Sequence, residues 1–383
     1  MTVTAAQGFL AGGVSAGIKE SGDLDLALVV NRGPSRAAAG VFTSNRVQAA
    51  PVHWSRRVLA DGRISAVVLN SGGANACTGK AGAEDTRLTA ERTARALGVG
   101  PDEVAVCSTG LIGVRLPMDA VTAGIDTVAG LLSPEGGEDA AEAIRTTDSV
   151  RKTAVVSRTG WTVGGMAKGA GMLAPGLATM LVVLTTDADV SARLLGSALR
   201  DAVRTTFDRV DSDGCMSTND TVLLLASGAS GVTPEPAAFT AAVHALCLDL
   251  AGQLVADAEG ASKEIDVEVV GAASEGDAVT VGRSVARNNL LKCALHGNDP
   301  NWGRVLSAIG TTDAVFDPDR LDVAVNGVWV CRDGEAAEPR DTVDLTNRQV
   351  RLTIDLRAGD ESAVIRTNDL TAEYVHENSA YSS

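Results

Sequence analysis

Aromatic side chains are scarce in this chain of 383 residues: Phe, Trp and Tyr together make up 3%. The core must then be built from Ala, Val, Leu and Gly, and there is little on which nucleic-acid bases could stack. Basic charge is also in deficit. Lys and Arg number 33 against 48 Asp and Glu, a net of -15, and no basic run is dense enough to neutralise a phosphate backbone, so nucleic acid is not an expected partner. The four histidines (His53, His244, His296, His376) and six cysteines (Cys77, Cys107, Cys215, Cys247, Cys293, Cys331) are dispersed, without C-x-x-C or a Cys/His pair at zinc spacing. No metal site is expected, and the thiols read as reduced and mostly buried in a cytoplasmic protein. Uninterrupted apolar runs of about 18 residues are missing, and no basic region precedes the glycine-broken stretch 9–18, so neither a membrane span nor a signal peptide is expected.

What is present is a globular composition, 45% hydrophobic and 21% charged, with 41 glycines for tight backbone geometry. Short Val- and Leu-rich runs at 26–30, 66–69, 104–107, 153–156, 180–184, 222–226, 267–270, 321–325 and 350–356 read as strands. Residues 86–97, after Glu84 and Asp85 and before Gly98, read as a helix, as do 192–205 and 237–256 from their apolar spacing. Strict alternation of strand and helix is absent. The class is mixed α/β (α+β), with sheets covered by helices on their outer faces. Residues 133–137 and 228–236 read as loops, and the change of character after about Glu264 marks a second, smaller lobe.

The densest candidate for chemistry is the stretch from Gly164 to Leu184. Five glycines, Lys168 and Pro175-Gly176 lead into an apolar strand near Thr179, which reads as a glycine-rich loop approaching a buried strand. A Walker A phosphate loop is excluded, because Gly169 follows Lys168 where Ser or Thr would be required.

This stretch, Ala167-Lys168-Gly169-Ala170-Gly171-Met172 with Pro175 and Ala178-Thr179-Met180-Leu181, resembles the self-cleavage segment of the ornithine acetyltransferase family, the bifunctional glutamate N-acetyltransferases of arginine biosynthesis. Six further segments match that family in order. They run from Asn70 to Gly79, from Ser108 to Gly113, over Thr146-Thr147-Asp148 and Ser217-Thr218-Asn219-Asp220, from His296 to Arg304 and from Asn378 to Tyr381, so the likeness spans the chain.

The resemblance implies an α-β-β-α sandwich with a smaller carboxyl-terminal lobe. It implies cleavage between Ala178 and Thr179, giving an α chain of residues 1–178 and a β chain of residues 179–383 that begins with its nucleophile. A threonine hydroxyl is a weak nucleophile at neutral pH, and a free α-amino group on the same residue can serve as its base. Thr109 and Gly110, after the strand at 104–107, are implied as the oxyanion hole. Thr146 or Thr147, Lys168, Thr179, Glu259, Asn378 and Ser383 are implied as substrate contacts. Lys168 suits a carboxylate, Glu259 an ammonium, and Asn378 offers both donor and acceptor. The implied reaction moves acetyl from N2-acetyl-L-ornithine to L-glutamate through acetyl-Thr179. The implied assembly is a heterotetramer of two α and two β chains, acting on small amino-acid substrates without membrane or cofactor, with acetyl-CoA left open as a second donor. Ala258 and Gly73 depart from the family's usual Gly and Asn, and Gly176 from its usual Asn. The rival readings are a hydrolase or aminopeptidase on the same fold and an uncleaved amino-acid-binding protein.

Overall fold

A computed structural model describes residues 2–174 and 180–380. Two compact units emerge, one formed by residues up to Asp208 together with Cys215–Leu254, the other by Arg209–Gly214 and the described residues from Val255 on.

In chain order the first unit contains strands β1 (Phe9–Val14), β2 (Leu26–Asn31), β3 (Ala38–Phe42), β4 (Ala66–Asn70), β5 (Val104–Ser108), β6 (Lys152–Arg158), β7 (Trp161–Lys168), β8 (Leu181–Thr186) and β9 (Thr221–Ala226). Its helices are α1 (Ala50–Val58), α2 (Gly79–Leu97), α3 (Met118–Gly130), α4 (Gly137–Ala143), α5 (Ala192–Thr205) and α6 (Pro236–Ala256). One sheet has the order β1-β2-β4-β5 and the other β3-β9-β8-β7-β6. Side-chain alternation along the strands decides how they stack. Val29, Val67, Leu69 and Cys107 of the first sheet share a core with Met166, Leu181, Val183, Leu223 and Leu225 of the second. The alternate residues Leu28, Val30, Val68 and Val106 bury against Ala90 and Ala94 of α2 and Val121, Ile125 and Val128 of α3. On the far side of the second sheet, Gly165 admits Leu246 and Leu250 of α6 close to the backbone. The first unit is therefore helix, sheet, sheet, helix.

The apolar runs read as strands each overlap a strand of the structure, while β1, β3 and β7 lie outside those runs. Three local readings change. Residues 164–168 belong to β7 and are not a loop: a Cβ on Gly164 would sit 2.5 Å from the Thr2 carbonyl oxygen and one on Gly165 2.7 Å from Leu184. These glycines serve close packing within a strand, a use that looks like loop composition in the sequence. Helix α2 begins at Gly79, about two turns ahead of residue 86. Its start is tied down by Asn75, whose Nδ2 donates to the Gly82 carbonyl and the Thr86 hydroxyl, both at 2.9 Å, and Asp85 is buried inside it. The thiols divide evenly, with Cys107, Cys247 and Cys331 buried and Cys77, Cys215 and Cys293 exposed. Although no uninterrupted apolar run reaches about 18 residues, α6 is long and apolar enough by length and composition to cross a membrane. Its Phe239, Val243, Leu246, Leu250 and Leu254 are fully buried, the pattern of a core helix.

The second unit holds β10 (Glu264–Ala272), α7 (Glu275–Ala286), α8 (Asn289–His296), α9 (Trp302–Ile309), β11 (Asp322–Val325), β12 (Val328–Arg332), β13 (Glu335–Ala336), β14 (Gln349–Asp355), β15 (Glu361–Asn368) and α10 (Ala372–Ala380). The sheet order is β13-β12-β11-β14-β10-β15, with only β10 and β14 parallel among the described pairs. Val267 and Val269 of β10 pack with Val281 and Val285 of α7 and Ile365 of β15.

Candidate active site

Strand ends assemble the candidate site in the first unit. Parallel pairing of β4 with β5 sets Asn70 opposite Ser108, and Ser108 Oγ donates to Asn70 Oδ1 at 2.6 Å. Asn70 Nδ2 then donates to the Gly73 carbonyl at 2.9 Å. Directly after this pair come Thr109, buried, and Gly110, whose φ of 124° is open to glycine. A Cβ on Gly110 would lie 2.6 Å from the Gly73 nitrogen, so any side chain there would push the two turns apart. Asn219 locks the same junction from a third segment, its Nδ2 donating to the carbonyls of Ala74 at 2.6 Å and Ser108 at 2.8 Å. Three segments that match the family separately in the sequence thus meet around Thr109.

Lys168, the last residue of β7, is 1% exposed and donates from Nζ to Thr109 Oγ1 at 3.1 Å. An ammonium has donors only, so the hydroxyl must accept here and its own proton points elsewhere. Asp148 supplies the counter-charge. Its Oδ1 accepts from Lys152 Nζ and from the Gly169 amide, both at 2.6 Å, while Oδ2 accepts from the Thr146 amide at 3.0 Å. Burial by itself would raise the Asp148 carboxyl, but Lys168 and Lys152, with the Gly169 amide, hold it well below the ordinary carboxylate range. Cys107, on β5 next to this site, is no rival nucleophile, because burial pushes its thiol up to about 12.

Asp148 and Lys152 have fully buried side chains. Asp148→Asn would leave two buried ammonium groups short of a counter-charge, and the expected loss of stability is about 3–5 kcal/mol in a urea titration at pH 7. Because the folded carboxyl is depressed, its contribution is complete at neutral pH and is lost as pH falls below the usual carboxylate range near 3.9. An unchanged urea midpoint would show that the pair adds nothing.

Thr109, Gly110, Thr146, Thr147 and Lys168 all lie in the first unit, with Thr146 engaged by Asp148 and Thr147 half-buried beside it. Glu259 and Asn378 meet in the second unit, where Asn378 Nδ2 donates to Glu259 Oε2 at 2.9 Å. Gly260, at φ of 60°, makes this possible: a Cβ there would lie 2.2 Å from the Tyr374 nitrogen on α10. Glu259 lines a small cleft with Ser212, Lys292 and Tyr374, in which burial draws the Lys292 ammonium down to about 8 against the opposing pull of Asp213, Asp211 and Asp369. Ala178, Thr179 and Ser383 lie outside the described residues. A separate cleft, lined by His53, Trp54, Arg57 and Cys77, contains none of the expected site residues.

Asp148, Lys152 and Asn219 were not singled out from the sequence as individual site residues. Their signal was membership of the Thr-Thr-Asp and Ser-Thr-Asn-Asp segments, and for Lys152 its spacing of four from Asp148.

Comparison with known proteins follows the same lines. The ArgJ family matches residues 10–383. The arginine biosynthesis bifunctional protein ArgJ of Streptomyces coelicolor is 70% identical over 383 residues, covering all of both chains. That of Thermobifida fusca is 60% identical over the same span, again covering all of both chains. Among solved structures, the ornithine acetyltransferase of Mycobacterium tuberculosis in complex with ornithine is 58% identical, covering 47% of this chain and 96% of that one, with a TM-score of 0.45. With a match across nearly its whole length and relatives identical to it end to end at well over half of their positions, this chain belongs to the ArgJ family.

Proposed function

We propose that this chain is a self-cleaving acetyltransferase of arginine biosynthesis, moving acetyl from N2-acetyl-L-ornithine to L-glutamate through acetyl-Thr179. The observation that carries the acyl-transfer chemistry is the buried bond from Lys168 to Thr109. It fixes the Thr109 hydroxyl as an acceptor toward Lys168 and leaves its proton for an oxygen that gains negative charge, which is what a tetrahedral intermediate needs. Thr179 Oγ attacks the acetamide carbonyl, its proton passing to the α-amino group that cleavage frees. Collapse then breaks the C–N bond, and that proton leaves with ornithine. The glutamate amine next attacks the acetyl ester and regenerates the hydroxyl.

Glu259 suits the ornithine ammonium, and Asn378 orients that carboxylate through its amide. Deleting residues 378–383 is expected to raise the KM for N-acetylornithine or abolish activity, and full activity in the truncated protein would remove this segment from substrate binding. Cytoplasmic location and an assembly of two α and two β chains belong to the same reading. Incubation with N-acetylornithine and glutamate tests the function: N-acetylglutamate should form faster than free acetate. Free acetate as the main product would favour a hydrolase.

A further inference from the structure

Asp220 ends the Ser217-Thr218-Asn219-Asp220 segment and is completely buried. Its Oδ1 accepts the Met180 amide proton at 3.0 Å, and the next residue, Thr221, donates its own amide to the Met180 carbonyl at 3.1 Å. Both main-chain polar groups of Met180 are therefore held by two consecutive residues, immediately before the parallel register of β8 and β9 begins at Leu181 opposite Thr221. A backbone carbonyl ordinarily accepts such an amide in a parallel ladder, at no cost in buried charge. Here a carboxyl does so, and its Oδ2 makes no hydrogen bond of normal geometry among the described residues. A buried polar atom left in this way is expensive and calls for a reason.

We propose that Asp220 is a positioning residue for the nucleophile: by gripping the Met180 amide it fixes the backbone that leads directly out of Thr179. The proposal rests on the reading of Thr179 as nucleophile. Burial pushes the Asp220 carboxyl well above its ordinary range, while the Met180 amide, the Lys168 ammonium and the Ser217 and Thr43 hydroxyls pull the other way. Asparagine offers the same acceptor oxygen in nearly the same volume.

The test compares Asp220→Ala, Asp220→Leu and Asp220→Asn with the wild type, reading self-cleavage on denaturing gels and kcat and KM in the transfer assay, with circular dichroism as the check on folding. The two apolar variants should cut themselves slowly and lose about tenfold or more in kcat with KM for N-acetylornithine unchanged, because the Met180 amide loses its partner. Asp220→Asn should restore both readouts. Wild-type kcat in a folded apolar variant would overturn the proposal, as would an Asn variant as slow as the Ala variant. Loss of the fold in both apolar variants, with the Asn variant intact, would make Asp220 purely structural and overturn it too. Failure of the wild-type protein itself to cleave or transfer acetyl would instead bring down the reading of Thr179.

Discussion

Thr179→Ala is expected to run as a single chain of 39.0 kDa and to transfer no acetyl group. The wild type should separate into residues 1–178 and 179–383, at about 18 and 21 kDa in proportion to length. The two defects share one cause. Without the hydroxyl there is nothing to attack the preceding carbonyl, so the peptide bond survives, and nothing to accept the acetyl group afterward. Without cleavage there is also no free α-amino group, whose ordinary pKa of about 7.7–8.0 leaves a useful neutral fraction near physiological pH. In the wild type the rate should therefore rise with pH through an apparent pKa near or below about 8, as the amine loses its proton and becomes able to accept one from the hydroxyl. Two chains from the Ala variant would place the nucleophile elsewhere.

Thr109→Ala should slow turnover by about 10²-fold or more while leaving the fold intact, the effect of removing one preorganised donor from an oxyanion hole. The fold should survive because the side chain is small and the neighbouring turns are held by Asn70 and Asn219, which the substitution does not touch. Lys168 sharpens the expectation. With the hydroxyl gone its ammonium loses an acceptor, but Asp148 still supplies charge, so the loss should fall on kcat far more than on the urea midpoint. Thr109→Ser keeps the hydroxyl and should recover most of the rate. Normal turnover in Thr109→Ala would remove it from the reaction.

How much of this was legible in the sequence depends on the distance over which each feature is encoded. Strands such as β4, β5 and β9 show themselves because Val and Leu cluster in short runs, and α5 because its apolar face repeats at helical spacing within 14 residues. Helix α3 escaped notice, having glycines at 124 and 130 and no polar cap. Strand β7 was obscured because Gly164 and Gly165 carry no strand preference, their reason being the Thr2 carbonyl and the Leu184 side chain pressed against them. The site residues Thr109, Gly110 and Lys168 came from resemblance. What the sequence alone does not carry is the contact between Lys168 and Thr109, 59 positions apart, or that between Asp220 and Met180, 40 apart. Each depends on the register of strands that only the folded sheets define. The pairing of Asp148 with Lys152 is local, yet a spacing of four more often marks an exposed helical ion pair than a buried one.

The most direct test of a covalent acetyl-Thr179 is intact mass spectrometry of the purified protein before and after addition of N-acetylornithine alone. The chain of residues 179–383 should gain one acetyl group and lose it again when glutamate is added, while the uncut Thr179→Ala chain should gain none, with parallel initial-rate lines in the complete assay. No acetylated chain under these conditions, together with intersecting initial-rate lines, would mean that acetyl passes directly between bound substrates and would contradict a covalent role for Thr179.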